Sequence, residues 1–308
     1  MINFRYHVVS LTAVFLALAV GLVLGTAALN GTLTDNLNDQ VGELRKSNEQ
    51  YRGQVQHLTQ EANKKEDFDR QLAPRILADT VKGRSVLVLA LPGADDKAVS
   101  GTEQMLGYGG ATVTGEVKLT ATFTDPANSD ALGDLASAKL PVDIHTTLPN
   151  NADGVESSAA LLAAVLMKQK HAVSKDSRTT VLTAYSTGQN LTVGKAVTGP
   201  AEAVVVVSGT PATDTDAAKR NAASLTVVRQ FAKAGQAVLA GPGTSGDGNV
   251  IAAVRGDGAL SSSVSTVDTL NLVQGQITTV LALARQFGGT TGKYGLGDGA
   301  ADLLPTGQ

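Results

Sequence analysis

The longest apolar stretch of the chain lies near its start. From Val8 to Leu29 the sequence VVSLTAVFLALAVGLVLGTAAL contains no charge, Pro, Asn or Gln. As a helix rising about 1.5 Å per residue, it is long enough to cross a hydrocarbon core of roughly 30 Å. No second run of this kind occurs between Asn30 and Gln308, so the pattern predicts one membrane anchor carrying a soluble body rather than a polytopic channel. A cleaved secretory signal is the competing reading, and Thr26, Ala27 and Ala28 supply the small residues it needs. Signal peptides have a basic leader and an apolar stretch of roughly 7 to 15 residues, shorter than this one, so retention as an anchor is expected. Arg5 precedes the run and Asp35 and Asp39 follow it. That bias predicts a cytoplasmic N-terminus with the rest of the chain outside, in the cell envelope.

Within the run, Ala13, Ala17, Gly21 and Gly25 recur every four residues. The last two form a G-x-x-x-G step of the kind that lets two membrane helices approach closely. Beyond it the period changes to seven. Leu37, Leu44, Tyr51 and Leu58 take d positions, and Val41, Val55 and Ala62 take a positions. Asn48 occupies the remaining a position, where a single polar residue fixes register and favours two parallel strands. Glu61 at g and Glu66 at e of a partner make a mildly unfavourable pair, so the stalk is short and a higher oligomer stays open. The pattern fails at Lys65 and Asp69, and Pro74 is expected to mark the end of the helix. A helix folding back on its own domain is the alternative to a coil.

After Lys82 apolar strands alternate with amphipathic helices. Ser85 to Leu91 and Ala111 to Leu119 read as strands, with a helix starting at Asp95 and Asp96, passing Met105 and Leu106, and stopping at Gly109 and Gly110. A Pro- and Asn-bearing connection follows. Further strands are expected at Thr180 to Tyr185, Ala203 to Val207, Gln236 to Ala240 and Val264 to Val267. Helices are expected at Val155 to Lys170, Asp214 to Ala234 and Leu272 to Phe287. Such alternation implies an α/β fold with a mainly parallel, Rossmann-like or flavodoxin-like sheet. The expected organisation is an anchor over residues 1–30, a coiled-coil stalk over 31–74, an α/β ectodomain over 75–287 and a loosely ordered Gly-rich tail over 288–308.

Composition narrows the chemistry. The net charge of −3 and the pI near 5.8 argue against a nucleic-acid partner, and the absence of Cys removes disulfides, thiolate metal sites and a Cys nucleophile together. Gly241-Pro242-Gly243-Thr244-Ser245-Gly246 is a formal G-x-G-x-x-G after a strand, with a short helix at Asn249 to Arg255 and Asp268 about 20 residues on. Pro242 inside the turn, the shortness of that helix and the further Gly248, Gly256 and Gly258 favour a surface loop over a dinucleotide site. His7, His57, His145 and His171 have no ligand-like spacing, and Met105 and Met167 make no thioether cluster. Copies of His57 meet only if the stalk oligomerises. No G-x-S-x-G elbow occurs, and Asp95 and Asp96 suit helix capping as well as a switch-point site. These readings predict no enzyme, no resident cofactor and no preformed metal site.

The opening MINFRYHVVSLTAVFLALAVGLVLGTAAL, then GRSVLVLALPGADD and GATVTGEVKLT, and late in the chain VSTVDTLNLVQGQITTVLALA and GKYGLGDGAADLLP, together resemble the actinobacterial MctB family. The resemblance runs from one end of the chain to the other in the same segment order. It implies a role in limiting intracellular copper, with copper as the transported ion, described for the mycobacterial member as an envelope pore. SteB-like members of the family imply instead a cell-division role with a SteA-type partner that affects peptidoglycan hydrolysis. A pore needs several spans or a closed barrel, whereas one anchor, a dimeric stalk and a non-catalytic ectodomain also suit a scaffold or regulator.

Overall fold

The computed structural model describes residues 4–144, 149 and 153–306, with no side chain described over 28–36. Contacts divide it into two units, Met1–Lys65 and Glu66–Gln308.

The first unit is helical. Helix α1 spans Phe4–Leu77, and so takes in both the apolar run and the heptad segment. Pro74 does not end it. The helix continues three residues further, although a proline has no N–H to donate to the carbonyl one turn back. Ala73 and Leu77, both fully buried, flank the proline and hold that last turn in the core of the second unit. The heptad fails at Asp69 because this turn serves the body, with Asp69 Oδ2 accepting from Gln274 Nε2 at 2.9 Å.

Among the described residues the second unit is a seven-stranded sheet with helices on both faces. In chain order, β1 (Ser85–Ala90), α2 (Asp96–Tyr108) and β2 (Thr112–Leu119) form the first crossover. A 3₁₀ turn at Pro126–Asn128, then α3 (Ser129–Ala138), α4 (Gly154–Leu166) and α5 (Lys175–Thr187), lead to β3 (Leu191–Lys195). There follow β4 (Ala203–Val207), α6 (Ala217–Ala234), β5 (Gln236–Ala240), α7 (Val250–Gly256), α8 (Gly258–Ser261), β6 (Val264–Val267), α9 (Val273–Phe287) and β7 (Lys293–Tyr294). The strand order is β3-β2-β1-β4-β5-β6-β7. Every neighbouring pair is parallel except β2 with β3.

Strand side chains alternate between faces, and β1 shows where they go. Leu87 and Leu89 join the core built with α4, α5 and α6, whereas Val86, Val88 and Ala90 join the core built with α2, α9 and the end of α1. All five are buried, as expected of a parallel strand covered on both sides. The predicted cap at Asp95 is present: its carboxylate accepts from the N–H groups of Lys97 at 2.8 Å and Ala98 at 3.0 Å.

Beyond Pro74, the structure departs from the sequence reading at three places. The segment Thr180 to Tyr185 is part of α5, not a strand. Its β-branched composition points one way, but the buried residues Arg178, Val181, Leu182 and Tyr185 recur with helical spacing, and Ser174 caps the helix by accepting from Ser177 N–H at 3.0 Å. The antiparallel strand β3 was not expected, because its apolar alternation stops after Leu191 and Val193, with Gly194 and Lys195 following. The Gly-rich tail is not loose. It contributes β7 to the sheet edge, and Tyr294 bridges to Asp302.

Candidate functional site

Function can reside on α1 or at the end of the sheet where the parallel strands open. Phe4–Ala27 is long and apolar enough to cross a membrane, with a mean hydropathy of 2.5 and no part of that stretch buried within the chain. Ala13, Ala17 and Gly21 are exposed on it and Gly25 is half-buried. A Cβ added at Gly21 or Gly25 would meet nothing within 4 Å, so the chain's own packing does not require glycine there. Further along, Leu37, Val41, Leu44, Tyr51, Val55 and Leu58 lie between 44% and 68% exposed, and Asn48 is exposed beside them. Both sets of residues therefore lie on one continuous helix. His57 Nδ1 is 3.8 Å from Glu61 Oε1, one turn on, at the surface. His7 is exposed within the apolar stretch, His171 is exposed after α4, and His145 lies outside the described residues. Among the described residues no three of His, Cys, Asp and Glu converge to hold a metal ion.

In the body, the loops after β1 and β4 meet at Gly93 and Gly209. A side chain at Gly209 would collide with the Gly93 carbonyl, and Gly93 itself has φ +80°, open to glycine. Beside this contact a cavity of about 210 Å³ is lined by both loops and by Thr124, Asp214, Arg220 and Asn221. Arg220 spans its wall, with Nη2 to Asp125 Oδ2 at 2.9 Å, Nη1 to the Ala121 carbonyl at 3.0 Å and Nε 3.2 Å from Asp214 Oδ2. The Ala127 N–H, with Arg220 second, holds the Asp125 carboxyl below its ordinary range. Asp95 is spent on its cap, and Asp96 meets Lys118 Nζ at 2.7 Å. Two acids at the first turn of α2 disfavour a phosphate there.

The G-x-G-x-x-G loop is filled by its own chain. Asn249 accepts from Ile251 and Ala252 N–H and donates to the carbonyls of Gly243 and Ser245. Asp268, the candidate ribose ligand, is 3% exposed and paired to Arg255 Nη1 at 2.7 Å. Its two oxygens also accept the Leu296 N–H at 2.8 Å and the Gly297 N–H at 3.0 Å. Both Asp268 oxygens are therefore committed to Arg255 and the tail, and neither is free for a ribose hydroxyl. Side chains at Gly295 and Gly297 would strike Asp268 and Thr244, which explains the glycine repeat of the tail. Sequence reading missed this closure because Arg255 and the tail are far from Asp268 along the chain.

One helix long and apolar enough to cross a membrane, together with a mixed α/β body built on a mainly parallel sheet, is the architecture of the described residues. Comparison of the sequence then places it: the chain belongs to the MctB family, described as a copper transport outer membrane protein, whose profile matches residues 1–305. It is similar to the Copper transporter MctB of Mycobacterium tuberculosis (strain ATCC 25618 / H37Rv), with 32% identity over 312 residues, covering 98% of this chain and 99% of that protein. The Copper transporter MctB of Mycobacterium leprae (strain TN) is also 32% identical, over 316 residues with the same coverage.

Proposed function

We propose that this protein is an anchored envelope component of copper transport, with copper as cargo and not as a resident cofactor. The observation that carries this reading is the similarity to proteins named as copper transporters over 98% of the chain. Residues 1–30 act as the anchor with a cytoplasmic N-terminus, 31–74 as the stalk, 75–287 as a non-enzymatic ectodomain outside the membrane and 288–308 as its tail. The strand order supports a Rossmann-like assignment for the body. A lone span encloses no path for an ion, so transport by this chain requires assembly. Ala13, Ala17, Gly21 and Gly25 in the membrane and the heptad face from Leu37 to Leu58 support a parallel homodimer or a higher oligomer.

The test is cellular copper content under copper challenge, with the chain deleted and then restored. Deletion is expected to raise intracellular copper severalfold, and re-expression to reverse it. Equal copper in all three strains would overturn the reading. The exposed heptad face also favours a second reading, a dimeric scaffold for cell division with a SteA-type partner. That reading expects unchanged copper content together with co-purification of a division or wall protein.

A further inference from the structure

Beyond transport, the edge of the sheet at β3 has the features of a receptor. Among the described residues β3 pairs only with β2, so its outer edge presents backbone N–H and C=O groups without sheet partners. Thr192, Val193, Gly194 and Lys195 are all exposed. Alongside runs a groove of about 430 Å³ between this strand and α5, with Leu182, Val193 and Val197 as its apolar lining and Thr179 and Thr183 on the helix side.

The charge of the groove is one-sided. Its lining contains two cations, Lys175 and Arg178, and no acid. Arg178 is 5% exposed. Its Nε donates to the Val165 carbonyl at 2.9 Å and its Nη2 to the Val173 carbonyl at 3.3 Å. Among the described residues Nη1 has no partner and no carboxylate pairs with the guanidinium. Burial alone pulls this group below its ordinary pKa, with no acid offsetting it. The segment 145–152, outside most of the described structure, contains no Asp or Glu to supply one. A buried cation that lacks a counter-charge is costly, and an incoming carboxylate relieves that cost.

We propose that the groove between β3 and α5 binds an extended, carboxylate-bearing segment of a partner protein, which adds to the sheet as a strand beside β3 and sets its acid against Arg178 and Lys175. Backbone pairing supplies affinity, and alternate side chains facing α5 supply selectivity.

The test uses the full chain in detergent and three probes: a blocked heptapeptide of alternating Thr and Val with a central Asp, the same peptide with Asn, and acetate. Binding is read by the anisotropy of fluorescein-labelled peptide and by hydrogen exchange at β3. The Asp peptide is expected to bind, the Asn peptide to bind about tenfold more weakly, and the β3 amides to slow their exchange when the Asp peptide is present. Thr183→Trp, at an exposed position, fills the groove and is expected to abolish binding while the chain stays folded. Arg178→Gln is expected to erase the preference for Asp. Should that variant fail to fold, Lys175→Gln must reduce the preference in its place. No binding at millimolar peptide, equal binding of the two peptides, or binding that leaves β3 exchange unchanged would each overturn the proposal. Acetate competing mole for mole would reassign the groove to a small anion and overturn it too.

Discussion

Asp268 and Arg255 have side chains 1% and 4% exposed, and an ion pair this dry is tolerable only because each remaining polar atom has work. Arg255 donates to Thr266 Oγ1, the Tyr294 carbonyl and the Asp298 carbonyl as well as to Asp268. Asp268 returns two oxygens to the tail's N–H groups. One acid thus joins the end of β6, the helix α7 and the strap after β7. Removing it strands a guanidinium among carbonyls. Asp268→Ala is expected to cost about 3 to 5 kcal/mol in chemical denaturation of the detergent-solubilised chain, followed by the near-ultraviolet tyrosine signal. The double replacement Arg255→Met with Asp268→Leu is expected to cost less than Asp268→Ala alone, because no unpaired charge remains. Equal losses in both variants would mean that packing, and not charge pairing, holds the strap.

At the scale of elements, the seam of α1 offers the sharpest test. If two copies of the heptad face pack together, Asn48 sits in the seam and lowers stability while selecting two strands. Asn48→Val is expected to raise the melting temperature of the detergent-solubilised oligomer and to broaden its size distribution in light scattering. No change in either would remove Asn48 from an interface. Elements whose signal is local were readable in the sequence. The strands Ala203–Val207 and Gln236–Ala240 appear with their expected bounds because each is an apolar run between polar stops. The cap at Asp95 and the short helix after Asn249 follow from side chains next to them in the chain. What escaped depends on distant partners or on conflicting cues. In α5 a β-branched run overrode a correct helical spacing, and β3 is a strand only because β2 lies beside it. Arg178 carried no sign of its burial, since its neighbours Ser177 and Thr179 are polar and its cover comes from α4 and the loop before α5.

For the molecule as a whole, apolar surface is spent in two different ways. In the body, both faces of the sheet are covered, and the central strands β1 and β4 are almost entirely buried, so the body's core is satisfied without lipid. In the stretch Phe4–Ala27 no residue is buried, and water is a poor solvent for it. A bilayer is the medium that suits this stretch, and under the proposed anchoring the flanking charges predict which way the chain enters. Arg5 on one side and Asp35 and Asp39 on the other favour a cytoplasmic N-terminus. Since the sequence has no Cys, single cysteines report topology without background. Thr187→Cys, exposed at the end of α5, is expected to react with a membrane-impermeant maleimide in intact spheroplasts. Asn3→Cys is expected to react only after the membrane is opened. The reverse pattern would put the body, and with it the β3 groove, in the cytoplasm, whereas labelling of both sites without permeabilisation would mean that the helix does not span.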